Sequence, residues 1–172
     1  MIIQDMTLSW ERLNNEHAVL NEMVAELEKD AKETMQLEGE LLHSLTEQLR
    51  MKAVGLLTEL EYHSEWEASD LFPKLTDHYN TPEGHQIITS LWMLEKEHEL
   101  THEYFQSFFE ELDRLLDNSS AADLPRAVND LLTACRLVRE HLMAEEETLL
   151  PFMEAELRLE DVLSIPVTCV TV

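Results

Sequence analysis

Two distant stretches carry the same arrangement of reactive side chains: HSEWEASDLFP at residues 63–73 and HLMAEEETLLP at 141–151. Each places a glutamate four residues after a histidine, a leucine eight after it and a proline ten after it. Imidazole and carboxylate attract one another, titrate and bind metal ions. At a spacing of four they share one helix face, with Cβ atoms about 5–6 Å apart. A motif of this kind written twice reads as two half-sites of one metal centre.

Both pairs sit in apolar stripes. Leu13, His17, Leu20, Val24, Leu27 and Ala31 follow one another in steps of four and three, as on the buried face of a helix. Leu42, Leu45, Leu49, Ala53, Leu56 and Leu60 continue in register into His63 and Glu67, before LFP at 71–73 disturbs the pattern. A third stripe reads Ile87, Leu91, Leu94, His98, His102, Phe105, Phe109 and Leu112. The fourth runs through Leu124, Val128, Leu131, Cys135, Val138, His141, Glu145, Leu149 and Phe152.

These stripes predict four helices, at roughly 9–35, 40–70, 83–117 and 124–158, separated by the turn signals NTPEG and NSSAAD. Three glycines and five prolines in 172 residues leave the helices uninterrupted, so the fold class is all-α. Short connections make sequential helices antiparallel, giving an up-down-up-down four-helix bundle over residues 1–158. Residues 159–172 form a short C-terminal extension, whose alternating β-branched residues suit packing on the bundle or against a second copy in a homo-oligomer.

In such a bundle the ionisable groups meet at one level. His63 and His98 lie roughly 17 residues either side of the second turn, and His102 and His141 roughly 20 from the third, at about 1.5 Å of rise per residue. His17, His63, Glu67, His98, His102, His141 and Glu145 then converge inside the bundle. Two carboxylates in an apolar interior are costly unless paired or coordinated. Cations supply the missing positive charge, and seven ligands exceed the need of one ion. The mixture of imidazole and carboxylate suits iron, manganese or zinc. Glu67 and Glu145 would bridge the two ions, with His98, His102 and His141 on one and His17 and His63 on the other. Leu20 and Val138, each three residues from a site histidine, face the same space and are candidates for lining a ligand pocket.

These residues resemble the hemerythrin-like family: a lone His on the first helix, HxxxE on the second, HxxxH or a single His on the third and HxxxE or HxxxxD on the fourth, with the contexts NEHAVL, EHELTHEYF, LFP and LLP in this chain. The four-helix bundle of that family is itself a standard example of the architecture. The resemblance covers about residues 9–156 and implies a non-haem di-iron centre, two iron ions with an oxo or hydroxo bridge, held by the same seven residues. It leaves Glu146, five after His141, as a competitor of Glu145 for the bridging position. It also implies a small gas ligand, dioxygen or nitric oxide, bound for sensing, storage or detoxification. The alternative it carries is a di-iron redox enzyme or iron donor, as in relatives that repair iron–sulfur clusters or consume peroxide or nitric oxide.

The remaining composition narrows the field. Thirty-six acidic against twelve basic residues give a formal charge of -24, which disfavours nucleic acid and anionic membrane surfaces. The N-terminus lacks the pattern of a signal peptide and no apolar run reaches membrane-spanning length, so a cytoplasmic protein is expected. Cys135 and Cys169 have no metal-binding or disulfide spacing, and Cys135 reads as a core residue. Ferritin-like chemistry needs Glu-x-x-His on two helices, whereas near the site it occurs only at Glu95 with His98 and Glu99 with His102, on one. His43, His78 and His85 near the turns are expected at the surface, and Trp10, Trp66 and Trp92 in the packing of the bundle.

Overall fold

The computed structural model describes residues 2–36, 41–78, 85–118 and 124–163, and all regular structure among them is helical. Helix α1 spans Ile2–Thr34, α2 Leu41–Trp66, α3 Phe72–His78, α4 His85–Asn118 and α5 Leu124–Leu163. A five-residue π-helical turn, Glu67–Leu71, joins α2 to α3, so four long helical stretches pack into a bundle. The final helix passes the expected end at 158, and the tail from residue 164, Cys169 included, lies outside the described residues. Pro125 occupies the first turn of α5, where its missing N–H leaves no intrahelical bond unmade.

The buried face of α1 follows the expected stripe without exception: Leu13, His17, Leu20, Val24, Leu27 and Ala31 are all covered. Leu49, Ala53, Leu56, Leu60, His63 and Glu67 do the same on α2 and its extension. On α4 the stripe takes a different course. Among the described residues the buried positions are Leu91, Leu94, Thr101, Phe105, Phe108, Glu111 and Leu112, so after His98 the inward step is three residues, to Thr101, rather than four, to His102. Thr101 satisfies its hydroxyl by donating to the carbonyl of Glu97 at 2.9 Å. Phe108 replaces the expected Phe109 in the core, and Phe109 packs at its margin. Trp92, expected inside, is 60% exposed, because it follows the inward Leu91 and is turned about 100° away from it.

The apolar core is split in two. One cluster gathers Leu20, Val24, Leu27, Leu56, Phe105, Phe108, Leu131, Cys135 and Val138, among others. Burial of the Cys135 thiol there pushes its pKa up to about 12, so it acts as a small apolar filler. The other cluster contains Leu13, Trp66, Leu71, Phe72, Leu75, Leu91, Leu94 and Leu149, with Trp10 packed against it. Along every long helix the residues between these clusters include the expected site positions. Each large buried side chain contributes about 1.5–3 kcal/mol, and the two apolar blocks hold the polar layer between them.

Ion pairs link the helices in a regular order. Lys52 meets Glu26 and Asp30, and His63 meets Glu16. Between α4 and α5, Glu111 takes Arg126, Ser107 donates to Asp130, and Glu97 meets His141. Arg139 reaches Glu28, and Arg50 reaches Asp113. No helix among the described residues is long and apolar enough to cross a membrane.

Candidate metal centre

The polar layer begins with the π turn. Pro73 has no N–H to offer the carbonyl of Ser69, and its ring would crowd that carbonyl in an unbroken α-helix. The chain widens instead: the Phe72 N–H donates to the carbonyl of Glu67, five residues back. The inserted residue lets Glu67, Leu71 and Phe72 all turn inward. In the second copy of the motif α5 runs through Pro151 as α-helix. The sequence repeat is therefore not a backbone repeat.

Six of the seven expected ligands come together. His17, His63, Glu67, His141 and Glu145 are at most 2% exposed, and His98 sits at the edge of the layer. His17 Nε2 lies 3.1 Å from one Glu145 oxygen and His141 Nε2 lies 2.9 Å from the other. His63 Nε2 is 3.4 Å from Glu67 and 3.5 Å from Glu145, and His98 Nε2 is 3.7 Å from the second Glu67 oxygen. Although close, none of these contacts has hydrogen-bond geometry. Eight buried atoms, the four Nε2 nitrogens and all four oxygens of Glu67 and Glu145, are left without a hydrogen-bond partner.

These atoms fall into two groups that share both glutamates. His17, His63, Glu67 and Glu145 offer ligand atoms within 4.8 Å of one another, and so do Glu67, His98, His141 and Glu145. The ring centroids of His17 and His63 are 5.1 Å apart, and those of His98 and His141 are 4.2 Å apart. An unpartnered buried polar group costs about 1–3 kcal/mol, so eight converging in one layer fit a pair of cations that would satisfy them together.

Three carboxylates outside the layer hold the imidazoles from behind, a role the sequence reading missed: it passed over Glu16 and Glu97 and weighed Glu146 only as a bridging ligand. Glu146 meets His17 Nδ1 at 3.0 Å, Glu16 meets His63 Nδ1 at 2.9 Å, and Glu97 meets His141 Nδ1 at 3.0 Å. A carboxylate accepting the Nδ1 proton fixes the tautomer, so that Nε2 presents a lone pair to the centre. The available signal was adjacency, since Glu16 precedes His17, Glu97 precedes His98 and Glu146 follows Glu145. Which imidazole each one serves could not be read from it: Glu16 and Glu97 serve histidines on other helices. The choice between Glu145 and Glu146 is likewise geometric, because Glu145 is wholly buried in the layer while Glu146 lies half-exposed behind His17.

His102 does not enter the cluster, contrary to the expectation. Its side chain is 53% exposed and its Nε2 lies 3.8 Å from Glu61 at the surface. The cause is the course of the α4 stripe through Thr101 and Phe105, which rotates His102 outward. Leu20 and Val138 are buried as expected, both in the apolar cluster beside the layer, and Leu20 lines a crevice that also touches His63. His43 is exposed; the side chains of His78 and His85 lie outside the described residues.

Protons alone balance this layer poorly. Burial, then the neighbouring Glu145 charge, raises the Glu67 pKa well above the usual carboxylate range. Burial would raise Glu145 too, but His141, His17 and His63 outweigh it and hold that carboxyl well below its usual value. Burial lowers His17 and His141, and their carboxylate neighbours, Glu145 foremost, more than reverse this, so both are raised. Burial and the nearby His141 depress His98 to about 4. The same groups are thus pulled towards different protonation states, a conflict that coordination removes.

No curated protein and no solved structure matches the chain. The family model of the hemerythrin HHE cation binding domain matches residues 8–153, which include every residue of the two ligand groups and the three carboxylates behind them. With a histidine–glutamate layer built for cations and a family match over most of its length, the chain belongs to the hemerythrin HHE cation-binding domain family.

Proposed function

We propose that this chain is a non-haem di-iron protein that binds a small gas ligand, dioxygen or nitric oxide, for sensing, storage or detoxification. The observation that carries the reading is the sharing of Glu67 and Glu145 by two otherwise separate histidine pairs. Glu67 and Glu145 would bridge the ions, His17 and His63 would complete one, and His98 and His141 the other. Each ion then has four protein ligands, fewer than the six an octahedral ion accepts. Two ferrous ions would supply reversible electron density to a small ligand. The chain's own part is to orient four imidazoles through their Nδ1 partners or packing and to cover the layer on both sides with apolar side chains, which limits water.

The bundle is read as up-down-up-down. Supporting this, residue numbers that rise along one helix fall along its partner in every ion-paired set: Glu16 with His63 and Glu26 with Lys52, or Glu97 with His141 and Glu111 with Arg126.

Protein purified without oxygen is expected to carry two irons per chain by elemental analysis. Admission of nitric oxide or air to the reduced protein should give a visible absorption band that disappears when the gas is removed. Fewer than one metal per chain, or no gas-dependent band, would overturn the proposal. Immediate irreversible oxidation with peroxide turnover would favour the redox-enzyme alternative.

The ligand set makes its own prediction. His98→Ala should lower iron to about one per chain, whereas His102→Ala should leave both ions and the spectrum in place. Loss of an ion from His102→Ala would return this histidine to the first coordination sphere.

A further inference from the structure

Two hollows approach the histidine–glutamate layer. One is a crevice of about 190 Å³ between α1 and α2, ending on Leu20 and His63. The other is an open groove of about 600 Å³ between α2 and α4, lined by Leu57, Leu60, Ser64 and His98 and rimmed by Glu61 and Glu103. They differ in what they reach. The side chains of His17, His63 and His141 are 1–2% exposed, so the crevice stops at a sealed imidazole. His98 is 18% exposed, yet its Nε2 is fully covered and faces Glu67. The groove therefore meets the layer at its one partly open ligand.

The groove's walls also carry a chemical preference. Leu57 and Leu60 present apolar surface to an incoming molecule, which suits an uncharged one. At the rim, Glu99 is paired with Lys96 and Glu61 lies 3.8 Å from His102, while Glu61 and Glu103 still add negative charge to an already strongly acidic chain and repel anions. Resting on the di-iron reading above, we propose that this groove is the mouth by which small neutral molecules reach the ion held by His98 and His141. Its acidic rim discriminates against anions of similar size.

The test uses the full iron-loaded chain and stopped-flow mixing, with nitric oxide as the neutral probe and azide as the anion. Leu57→Trp, filling the groove, is expected to slow nitric oxide binding at least tenfold while iron content stays at two per chain. Ser64→Leu, a smaller obstruction, should slow it in the same direction and serves if the Trp variant folds poorly. Val19→Trp, in the α1–α2 crevice, should leave the rate unchanged. Glu61→Gln combined with Glu103→Gln should speed azide binding about tenfold at low salt, with less effect at high salt and none on nitric oxide. Rates indifferent to both groove-filling changes, or slowed by Val19→Trp instead, overturn the proposed mouth. An azide rate unmoved by removing the rim charges overturns the discrimination. An unsubstituted protein without iron or a nitric oxide band overturns the di-iron reading itself, a result separate from any of these.

Discussion

Glu145→Ala is expected to abolish binding of both metal ions rather than weaken one of them. Glu145 is the hinge of the layer: its two oxygens face His17 and His141 at 3.1 and 2.9 Å, and His63 lies 3.5 Å away. Both ligand groups contain it. Its loss would leave each with two histidines and Glu67, and would also remove half of the negative charge that draws cations inward. Even a partner behind a metal ligand commonly changes affinity by about 10–100-fold, so a shared ligand should exceed that for each ion. Elemental analysis and titration with ferrous iron or zinc would read this as near-zero occupancy at concentrations that fill the parent protein. Glu146→Ala, which removes only the support behind His17, should retain both ions with one bound more weakly. If Glu145→Ala still held two ions, the bridging role would be excluded.

Removing the metals should lower the melting temperature on the order of 10 °C or more. A ligand that binds only the folded state at a thousand times its dissociation constant adds about 4.1 kcal/mol. For a chain of this size each kcal/mol is worth about 2–4 °C. The origin of the effect is local: eight buried polar atoms lack hydrogen-bond partners unless cations take them up. Zinc, which has no redox chemistry, should restore most of the loss, so the shift can be measured apart from any reaction with gas. Calorimetry of chelated, iron-loaded and zinc-loaded protein tests it, and equal melting temperatures in all three would contradict a metal-satisfied core.

The site was legible where an ionisable residue replaced an apolar one in a stripe whose neighbours were unambiguous. His17 between Leu13 and Leu20 had to face inward, because three- and four-residue steps on either side fix the helix face. His63, Glu67, His141 and Glu145 followed by the same logic. His98 and His102 tested its limit. Relative to His98, Thr101 lies about 60° to one side and His102 about 40° to the other, so either can continue an inward stripe. Packing of Phe105 and Phe108 against the core of α5 and α1 selected Thr101. Trp92 is exposed for a separate reason, its place about 100° round the helix from the inward Leu91.

The sequence alone determined the all-helical class, the four amphipathic stretches and the inward course of His17, His63, Glu67 and His141, because helical periodicity is a local property that each segment carries by itself; it left Glu146 competing with Glu145 and His102 standing beside His98. Tertiary structure decided the rest. The rotation of α4 that retired His102, the choice of Glu145 over Glu146 for the buried layer, and the pairing of Glu16, Glu97 and Glu146 with particular imidazoles all depend on how one helix face meets another. Such contacts join residues as far apart as 17 and 146. No pattern within a single helix encodes which of its two edges will be covered; the neighbouring helices settle that when they close the core.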